Sequence, residues 1–176
     1  MRTNISRLSL PAFLLGLALI SSCGREEPTV APPPPVIPGE VMMNEIWSRG
    51  VPGNLDWIEI YNPSSLPIDI SAYKIYDGGG QGGTKPKKGF PAGTVVPAKG
   101  FYVIVTDTNA SATILDGFGL SSAGEQVWLD NASGTLIDTY TFLATPLETQ
   151  SWGRLPDGST NWQLLGTVTR GAANKQ

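Results

Sequence analysis

The sequence predicts an all-β fold, a single sandwich of two sheets built from about eight or nine short strands. Turn-forming residues are frequent, with 21 Gly and 15 Pro among the 176 residues, and β-branched and aromatic residues recur between them. Short segments in which apolar and polar residues alternate follow one another about every 8–12 residues. No stretch repeats its apolar residues with the period of a helix. The folded part, about 135 residues, is long enough to bury one core without disulfides.

The clearest predicted strand is WIEIY at residues 57–61. It alternates strictly, so Ile58 and Ile60 share one face while Trp57, Glu59 and Tyr61 share the other. Similar segments precede and follow it, separated by Gly, Pro, Asn and Asp. The strands predicted in this half are VMMNEIW (41–47), WIEIY (57–61), LPIDI (66–70) and YKIYD (73–77).

The second half predicts a series of hairpins that begins after a glycine-rich loop. This loop, GGGQGGTKPKKG at residues 78–89, contains too much glycine for regular structure. Asp157-Gly158 lies between two strand segments and is a strong hairpin signal, flanked by Trp152 and Trp162. The predicted hairpins are GTVVP (93–97) with FYVIVT (101–106), QVWLD (126–130) with TLIDTYTF (135–142), and SWGRL (151–155) with NWQLL (161–165).

Residues 1–22 have the features of a signal peptide rather than of a folded domain. Arg2 and Arg7 supply a positive start, residues 8–20 form an apolar stretch, and two serines precede the expected cut. The apolar stretch contains a proline and is shorter than the roughly 20 residues of a membrane span. We therefore expect the protein to be exported.

The only cysteine of the chain, Cys23, stands where the apolar stretch ends and charged residues begin. Ile20-Ser21-Ser22-Cys23 resembles the bacterial lipobox, in which cleavage leaves the cysteine as an acylated first residue. Its position and uniqueness favour this interpretation over a buried or incidental thiol. Each buried methylene contributes about 0.8 kcal/mol, so two or three acyl chains would hold the protein durably in a membrane. We therefore expect a lipid anchor at Cys23.

The residues that follow Cys23 predict where the anchored protein lies. Gly24 occupies the place of the Asp that retains lipoproteins in the inner membrane, so we expect an outer-membrane lipoprotein of the cell envelope. Arg25-Glu26-Glu27 is similar to charged tags of surface-exposed lipoproteins, which leaves a surface orientation open. Residues 23–40 form a linker with six prolines, which favours an extended spacer of up to about 50 Å before the domain of residues 41–176.

Six motifs in series resemble the lamin-tail domain family, over about residues 42–174. The resemblance implies an immunoglobulin-like β-sandwich and, for bacterial members, exported or membrane-anchored proteins that often carry hydrolase domains. The motifs are MMNEIW, DWIEIYNPSSLPIDISAYKIYD, FPAGTVVPAKGFYVIVTD, LSSAGEQVWLDNASGTLIDTYTF, SWGRLPDGSTNWQ and TRGAAN.

Glu45 and Glu59 are the sharpest candidates for chemistry, because both lie mid-strand on strands that can be neighbours. Two carboxylates about 5 Å apart, or about 6.5–9.5 Å apart, can hydrolyse a glycosidic bond, so a carboxylate-dependent glycan hydrolase is one alternative. The other interpretation is a pair that forms hydrogen bonds or ion pairs on a sheet face. The chain has no His, which removes the commonest general base, and we expect no enzyme.

Asp77, Asp130 and Asn131 could supply oxygen ligands to a calcium ion. Their spacing lacks the regular acidic pattern of a calcium loop, and Asp and Asn are ordinary turn residues. We therefore expect no metal site and no cofactor, with calcium left as an open alternative.

Lys85, Lys87 and Lys88 form the only basic cluster, in the glycine-rich loop. Clustered lysines attract phosphates and anionic polysaccharides in a salt-dependent manner, although a solvated loop explains them equally. The net charge of −3 argues against a dedicated nucleic-acid binder.

Aromatic residues give a further binding alternative, a sugar-stacking face, although the core and rim of a sandwich also require them. The residues considered are Trp47, Trp57, Tyr61 and Trp128. Together these features predict a non-catalytic, lipid-anchored envelope protein that acts as a binding or scaffolding module. Its expected contacts are the membrane, through Cys23, and a protein or polysaccharide of the envelope; the glycan hydrolase and the binder of anionic polymers remain alternatives.

Overall fold

The computed structural model describes residues 40–50, 54–85, 87–106, 118–145 and 147–176. Cys23, the signal peptide predicted over residues 1–22 and linker residues 24–39 lie outside these ranges. The described residues contain no helix long and apolar enough to span a membrane. Their strands are β1 (Met42–Trp47), β2 (Trp57–Tyr61), β3 (Ile68–Asp69), β4 (Lys74–Asp77), β5 (Lys88–Gly89), β6 (Val95–Val96), β7 (Phe101–Val105), β8 (Gly124–Asp130), β9 (Leu136–Leu143), β10 (Ser151–Arg154) and β11 (Trp162–Leu165).

Two antiparallel sheets form the body of the fold. One has five strands in the order β11-β10-β1-β2-β7, the other has four in the order β5-β4-β8-β9, and β3 pairs with β6 apart from both. Side chains of both sheets share one apolar core, to which Ile58, Ile60, Ile75, Val127 and Leu129 contribute fully buried residues. The predicted all-β, immunoglobulin-like sandwich is confirmed.

β1 and β2 pair around a bulge that decides which side chains face the core. Met43 pairs with Ile60 and Glu45 with Glu59, so the intervening Asn44 is the extra residue. Met43, Ile58 and Ile60 belong to the core, as the alternation of WIEIY predicts for the two isoleucines. Glu45 and Glu59 therefore lie on the opposite, outer face of the five-stranded sheet.

Two of the three predicted hairpins are present. β8 pairs with β9 across a turn in which Asn131 Oδ1 accepts hydrogen bonds from Ser133 N (3.1 Å) and Thr135 N (3.0 Å). β10 pairs with β11 across the turn that contains Asp157 and Gly158, and Gly158 has the positive φ of 71° that favours glycine. Side-chain and glycine turn signals thus predict both connections correctly.

The predicted pairing of GTVVP with FYVIVT is wrong. β6 pairs with β3, and β7 pairs with β2 in the five-stranded sheet. Asn62 explains the arrangement, because its Nδ2 donates to Leu66 O (2.8 Å) and to Val96 O (3.0 Å), which holds the β3 region against β6. The turn before β7 therefore carries the chain from one sheet to another.

The glycine-rich loop is more regular at its end than expected. Lys88–Gly89 forms β5, in which Lys88 pairs with Ile75 and Gly89 with Lys74. The prediction of irregular structure for residues 78–89 is wrong for these two residues, because an adjacent strand supplies backbone partners that local composition does not reveal. The described residues contain eleven strands, more than the expected eight or nine, and β5 is the one that lies in none of the predicted strand segments.

Candidate functional site

The last residues of the chain cover the outer face of the five-stranded sheet. Residues 166–176, here called the C-terminal strap, contain no strand, yet they contribute hydrogen bonds to buried side chains of β1 and β2. Gly153 in β10 makes room for this segment, since an added Cβ would lie 2.8 Å from Asn174 Nδ2. As a result Glu45 and Glu59 have no exposed surface.

The hydroxyl of Thr169 lies between Glu45 and a second acceptor. Asn174 Nδ2 donates to Asn44 O (3.0 Å) and Arg154 O (2.8 Å), so Asn174 Oδ1 is an acceptor. The Thr169 hydroxyl lies 2.9 Å from Glu45 Oε2 and 2.8 Å from Asn174 Oδ1. A hydroxyl has a single proton, so these two acceptors share it as long as Glu45 is ionised. Protonation of Glu45 would give each contact a proton of its own.

The other oxygen of Glu45 accepts two hydrogen bonds. Ser151 Oγ donates to Glu45 Oε1 at 2.5 Å and Thr169 N donates to it at 2.9 Å. Burial raises the pKa of Glu45, and the charge of Asp157 acts in the same direction. A neutral Glu45 is the form that this desolvated position favours.

Glu59 accepts hydrogen bonds at both of its oxygens. Asn44 Nδ2 donates to Oε1 at 3.1 Å and Gly171 N donates to Oε2 at 2.6 Å. Burial raises the pKa of Glu59 to about 7, against the lowering effect of these two donors. Asn44 is itself fixed in orientation, because its Oδ1 accepts from Gly158 N at 3.1 Å.

The structure brings Glu45 and Glu59 together as cross-strand partners, but not in a cleft. Their oxygens are occupied by protein donors or hydroxyls, and neither side chain is exposed. Retaining or inverting hydrolysis needs carboxyl groups that reach the substrate and, in the inverting case, a water. This geometry instead serves to hold the C-terminal strap on the sheet.

A buried ion pair joins the two sheets, and no pattern in the sequence predicts it. Arg154 on β10 is 1% exposed, and its Nη2 lies 3.0 Å from both carboxylate oxygens of Asp138 on β9. Its Nε donates to Met43 O and its Nη1 to Ser159 O, both at 2.6 Å. Asp138 Oδ2 also accepts from Met43 N at 2.8 Å, so charges and donors are matched. The signal available in the sequence is one Asp and one Arg in strands that carry no other charged residue.

The lysines of the glycine-rich loop do not form one free basic patch. Lys85 Nζ lies 3.0 Å from Asp77 Oδ2, and Lys87 Nζ lies 2.8 Å from Asp130 Oδ2. Lys87 also lies 3.9 Å from the centre of the Tyr76 ring. Lys88 is part of β5.

The same contacts bear on the calcium alternative. Asp77 and Asp130, considered as calcium ligands, each use an oxygen on a lysine ammonium group. Asn131 uses its side-chain oxygen on turn amides. Among the described residues, no group of three or more Asp, Glu or Cys is arranged to hold a metal ion.

The aromatic residues considered for sugar stacking are dispersed over three places. Trp128 stacks on Tyr76 at 5.9 Å, and Tyr61 contacts Phe101 at 5.1 Å. Trp47 and Trp57 form a separate stacked pair, with ring centres 6.3 Å apart and planes at 22°. The four aromatic side chains therefore do not form one continuous face on which a sugar could stack.

The Trp47–Trp57 pair lies at a surface groove of about 540 Å³, here called the strap groove. Its lining residues come from the ends of β1 and β2, from the turn before β10 and from the C-terminal strap. Arg170 of the strap lies over the Trp57 ring at 5.6 Å from its centre, and Trp47 Nε1 donates to Glu148 O at 2.9 Å. The strap groove is thus a concave region in which aromatic, cationic and anionic groups meet.

A comparison with known protein families shows to which family the sandwich belongs. The family model described as Lamin Tail Domain matches residues 36–144, more than half of the 176-residue chain. The chain belongs to the lamin tail domain family. No curated protein and no solved structure gives a significant match.

The lamin tail sandwich of this chain continues beyond the residues that the family model matches. β10 and β11 follow residue 144, and β10 pairs directly with β1 inside the five-stranded sheet. The C-terminal strap, which contains the TRGAAN motif, then covers that sheet. The residues that cover this outer face, Thr169, Gly171 and Asn174 among them, therefore lie outside the matched range.

Proposed function

We propose that this lamin tail domain is a non-catalytic binding module, anchored to the outer membrane of a cell envelope through acylated Cys23. The absence of catalysis is proposed because the two best catalytic candidates are buried and hydrogen-bonded within the protein. Glu45 and Glu59 are completely buried and are engaged by Thr169 and Gly171 of the C-terminal strap. Lamin tail domains of this immunoglobulin-like kind are generally binding modules rather than enzymes.

The anchoring part of the proposal rests on the sequence before the sandwich. Cys23 follows a signal-like apolar stretch, and a proline-rich linker separates it from β1, which begins at Met42. A polyproline spacer holds a domain away from its anchor without forming contacts of its own. A module that meets other envelope components needs that separation from the membrane surface.

The two alternative functions have less support. The burial of Glu45 and Glu59 leaves no place for a glycan between them. The ion pairs of Lys85 and Lys87 leave little uncompensated positive charge in the loop proposed to bind anionic polymers. The binding module is therefore the function that agrees best with both the family and the geometry.

Fractionation of a diderm bacterium that expresses the full chain tests the anchor. Cys23→Ala is expected to move the protein from the membrane to the soluble fraction, because no acyl acceptor remains. Ser22→Ala is the matched control, since Ala is a common residue before a lipobox cysteine, and it is expected to stay in the outer membrane. Membrane retention of the Cys23→Ala protein, or an unmodified sulfur by mass spectrometry of the native protein, would overturn the proposal.

A further inference from the structure

The strap groove has the size and composition of a small-molecule site. Its volume of about 540 Å³ lies within the roughly 300–1,000 Å³ typical of ligand pockets. Trp47 and Trp57 are among its lining residues and are 3% and 1% exposed, so they are held in place by packing. A wall of this kind does not need to reorganise when a ligand enters, which lowers the entropic cost of binding.

Arg170 gives the groove a cationic group that the protein does not neutralise by itself. It is exposed, and it forms no ion pair with any described residue. Its guanidinium lies over the Trp57 ring, a cation–π contact that restrains the side chain while its donors stay available. A guanidinium restrained in this way binds a carboxylate with two parallel hydrogen bonds.

The rest of the lining combines uncharged polar side chains and one carboxylate with Gly166 and Val168. Asn54, Thr149 and Thr167 offer an amide and two hydroxyls, which both donate and accept hydrogen bonds. Glu148 adds a carboxylate, which accepts hydrogen bonds from hydroxyl groups. The groove therefore matches a ligand that carries one carboxylate and several hydroxyl groups.

From these contacts we infer that the strap groove binds a uronic acid unit of an acidic polysaccharide, with its carboxylate on Arg170. The sugar hydroxyls meet Glu148, Asn54 and Thr167, and the apolar face of the sugar meets Val168. This inference rests on the proposed function and specifies the ligand class of the binding module. Glu148 repels a densely charged polyanion, so phosphate polymers fit the groove poorly.

An acidic peptide is the principal competitor for the same arginine. Peptide side chains are usually bound in apolar pockets beside the charged contact. Beside Arg170 the strap groove offers two hydroxyls, an amide and one carboxylate, with Val168 as its half-buried aliphatic residue. The lining thus favours a polyhydroxylated ligand over a peptide.

The inference is tested by titrating the full chain with digalacturonate and with diglucuronate. Tryptophan fluorescence and calorimetry measure the binding. We expect saturable binding of at least one acidic disaccharide, and binding at least about tenfold weaker for its methyl ester, which keeps the shape and removes the charge. Arg170→Gln is expected to weaken binding of the acid by about tenfold and to leave binding of the ester unchanged. Lys175→Gln, an equal loss of charge elsewhere on the C-terminal strap, is expected to have no effect.

Three results would each overturn the inference. They are absence of binding by both acidic disaccharides, equal affinity for acid and ester, and tighter binding of a peptide of Asp and Glu residues than of either saccharide. The saccharide-binding test and the membrane-fractionation test can fail independently, because the Arg170→Gln protein is expected to stay in the membrane fraction. Absence of saccharide binding with normal membrane retention removes the ligand only, whereas retention of Cys23→Ala in membranes removes the anchor only.

Discussion

Glu45 and Glu59 face each other as cross-strand partners on β1 and β2, and both are hydrogen-bonded to the C-terminal strap. Glu45 accepts from Thr169 N, and Glu59 accepts from Gly171 N. Two adjacent carboxyl groups without a buried counter-ion are tolerated when one of them carries a proton. The pair is thus a polar support for the C-terminal strap.

Replacing either glutamate by glutamine is expected to have little effect on stability at pH 5. Burial raises the pKa of both side chains, to about 7 for Glu59, so in each variant a neutral amide replaces a carboxyl group whose neutral form is favoured. The free energy of unfolding should therefore change by less than about 1 kcal/mol in each variant. Urea unfolding at pH 5 measures both values. A loss of more than about 2 kcal/mol in Glu59→Gln would show that Glu59 is ionised in the folded protein at pH 5.

The stability of the protein is expected to fall as the pH rises from about 4.5 to about 7. The pKa of Glu59 is about 7 in the folded protein, against 4.5 for an unperturbed glutamate. Between these values the folded state holds a proton that the unfolded state has released, so the free energy of unfolding decreases with pH, by about 3 kcal/mol in total. Below this window both states are protonated, and above it both are ionised, so the contribution is constant.

Glu59→Gln supplies the control for this pH dependence. The variant has no titrating group at position 59, so its stability should vary less between pH 5 and pH 8, and it should be more stable than the wild type at pH 8. Thermal unfolding across this range measures the slope. A wild-type stability that rises from pH 5 to pH 7 would contradict the raised pKa of Glu59.

The sequence predicts the inner face of the five-stranded sheet better than its outer face. Alternation in WIEIY correctly places Ile58 and Ile60 in the core. It also places Glu59 on the other face, but it cannot reveal that this face is covered by Gly171, 112 residues later in the chain. The covering segment lacks alternation, and its contacts depend on a fold that is already formed. The partner predicted for the two-residue strand β6 is wrong for a similar reason, because so short a strand is placed by distant contacts such as those of Asn62.

Asn174→Ala is expected to loosen the C-terminal strap. The Asn174 amide contacts Asn44 O, Arg154 O and the Thr169 hydroxyl, so its removal leaves buried backbone and hydroxyl groups without partners. We expect a loss of about 2–3 kcal/mol in the free energy of unfolding and faster exchange of the amide hydrogens of residues 169 and 171.

Gln176→Ala is the matched control for the strap. The Gln176 side chain is exposed and donates to Gln163 Oε1 at 2.8 Å, so its removal should change stability by less than about 0.5 kcal/mol. If the two variants were equally stable, the hydrogen bonds of Asn174 would not be what holds the C-terminal strap.

Asp138→Asn is expected to be the most damaging single polar substitution in the sandwich. It leaves the guanidinium of Arg154 buried without its counter-ion, which costs about 3–5 kcal/mol. The double variant Asp138→Leu with Arg154→Met removes both charges and should recover part of this loss, since apolar replacements of a buried pair are often tolerated.

Lys85→Ala is the control at an exposed ion pair. Its lysine is 62% exposed, so breaking the pair should cost less than about 1 kcal/mol. Urea midpoints of the three variants give the order, and a loss at Lys85 as large as that at Asp138 would contradict the role of burial. The expected order follows from solvent access, because water replaces the lost partner of an exposed charge but cannot reach Arg154 between the two sheets.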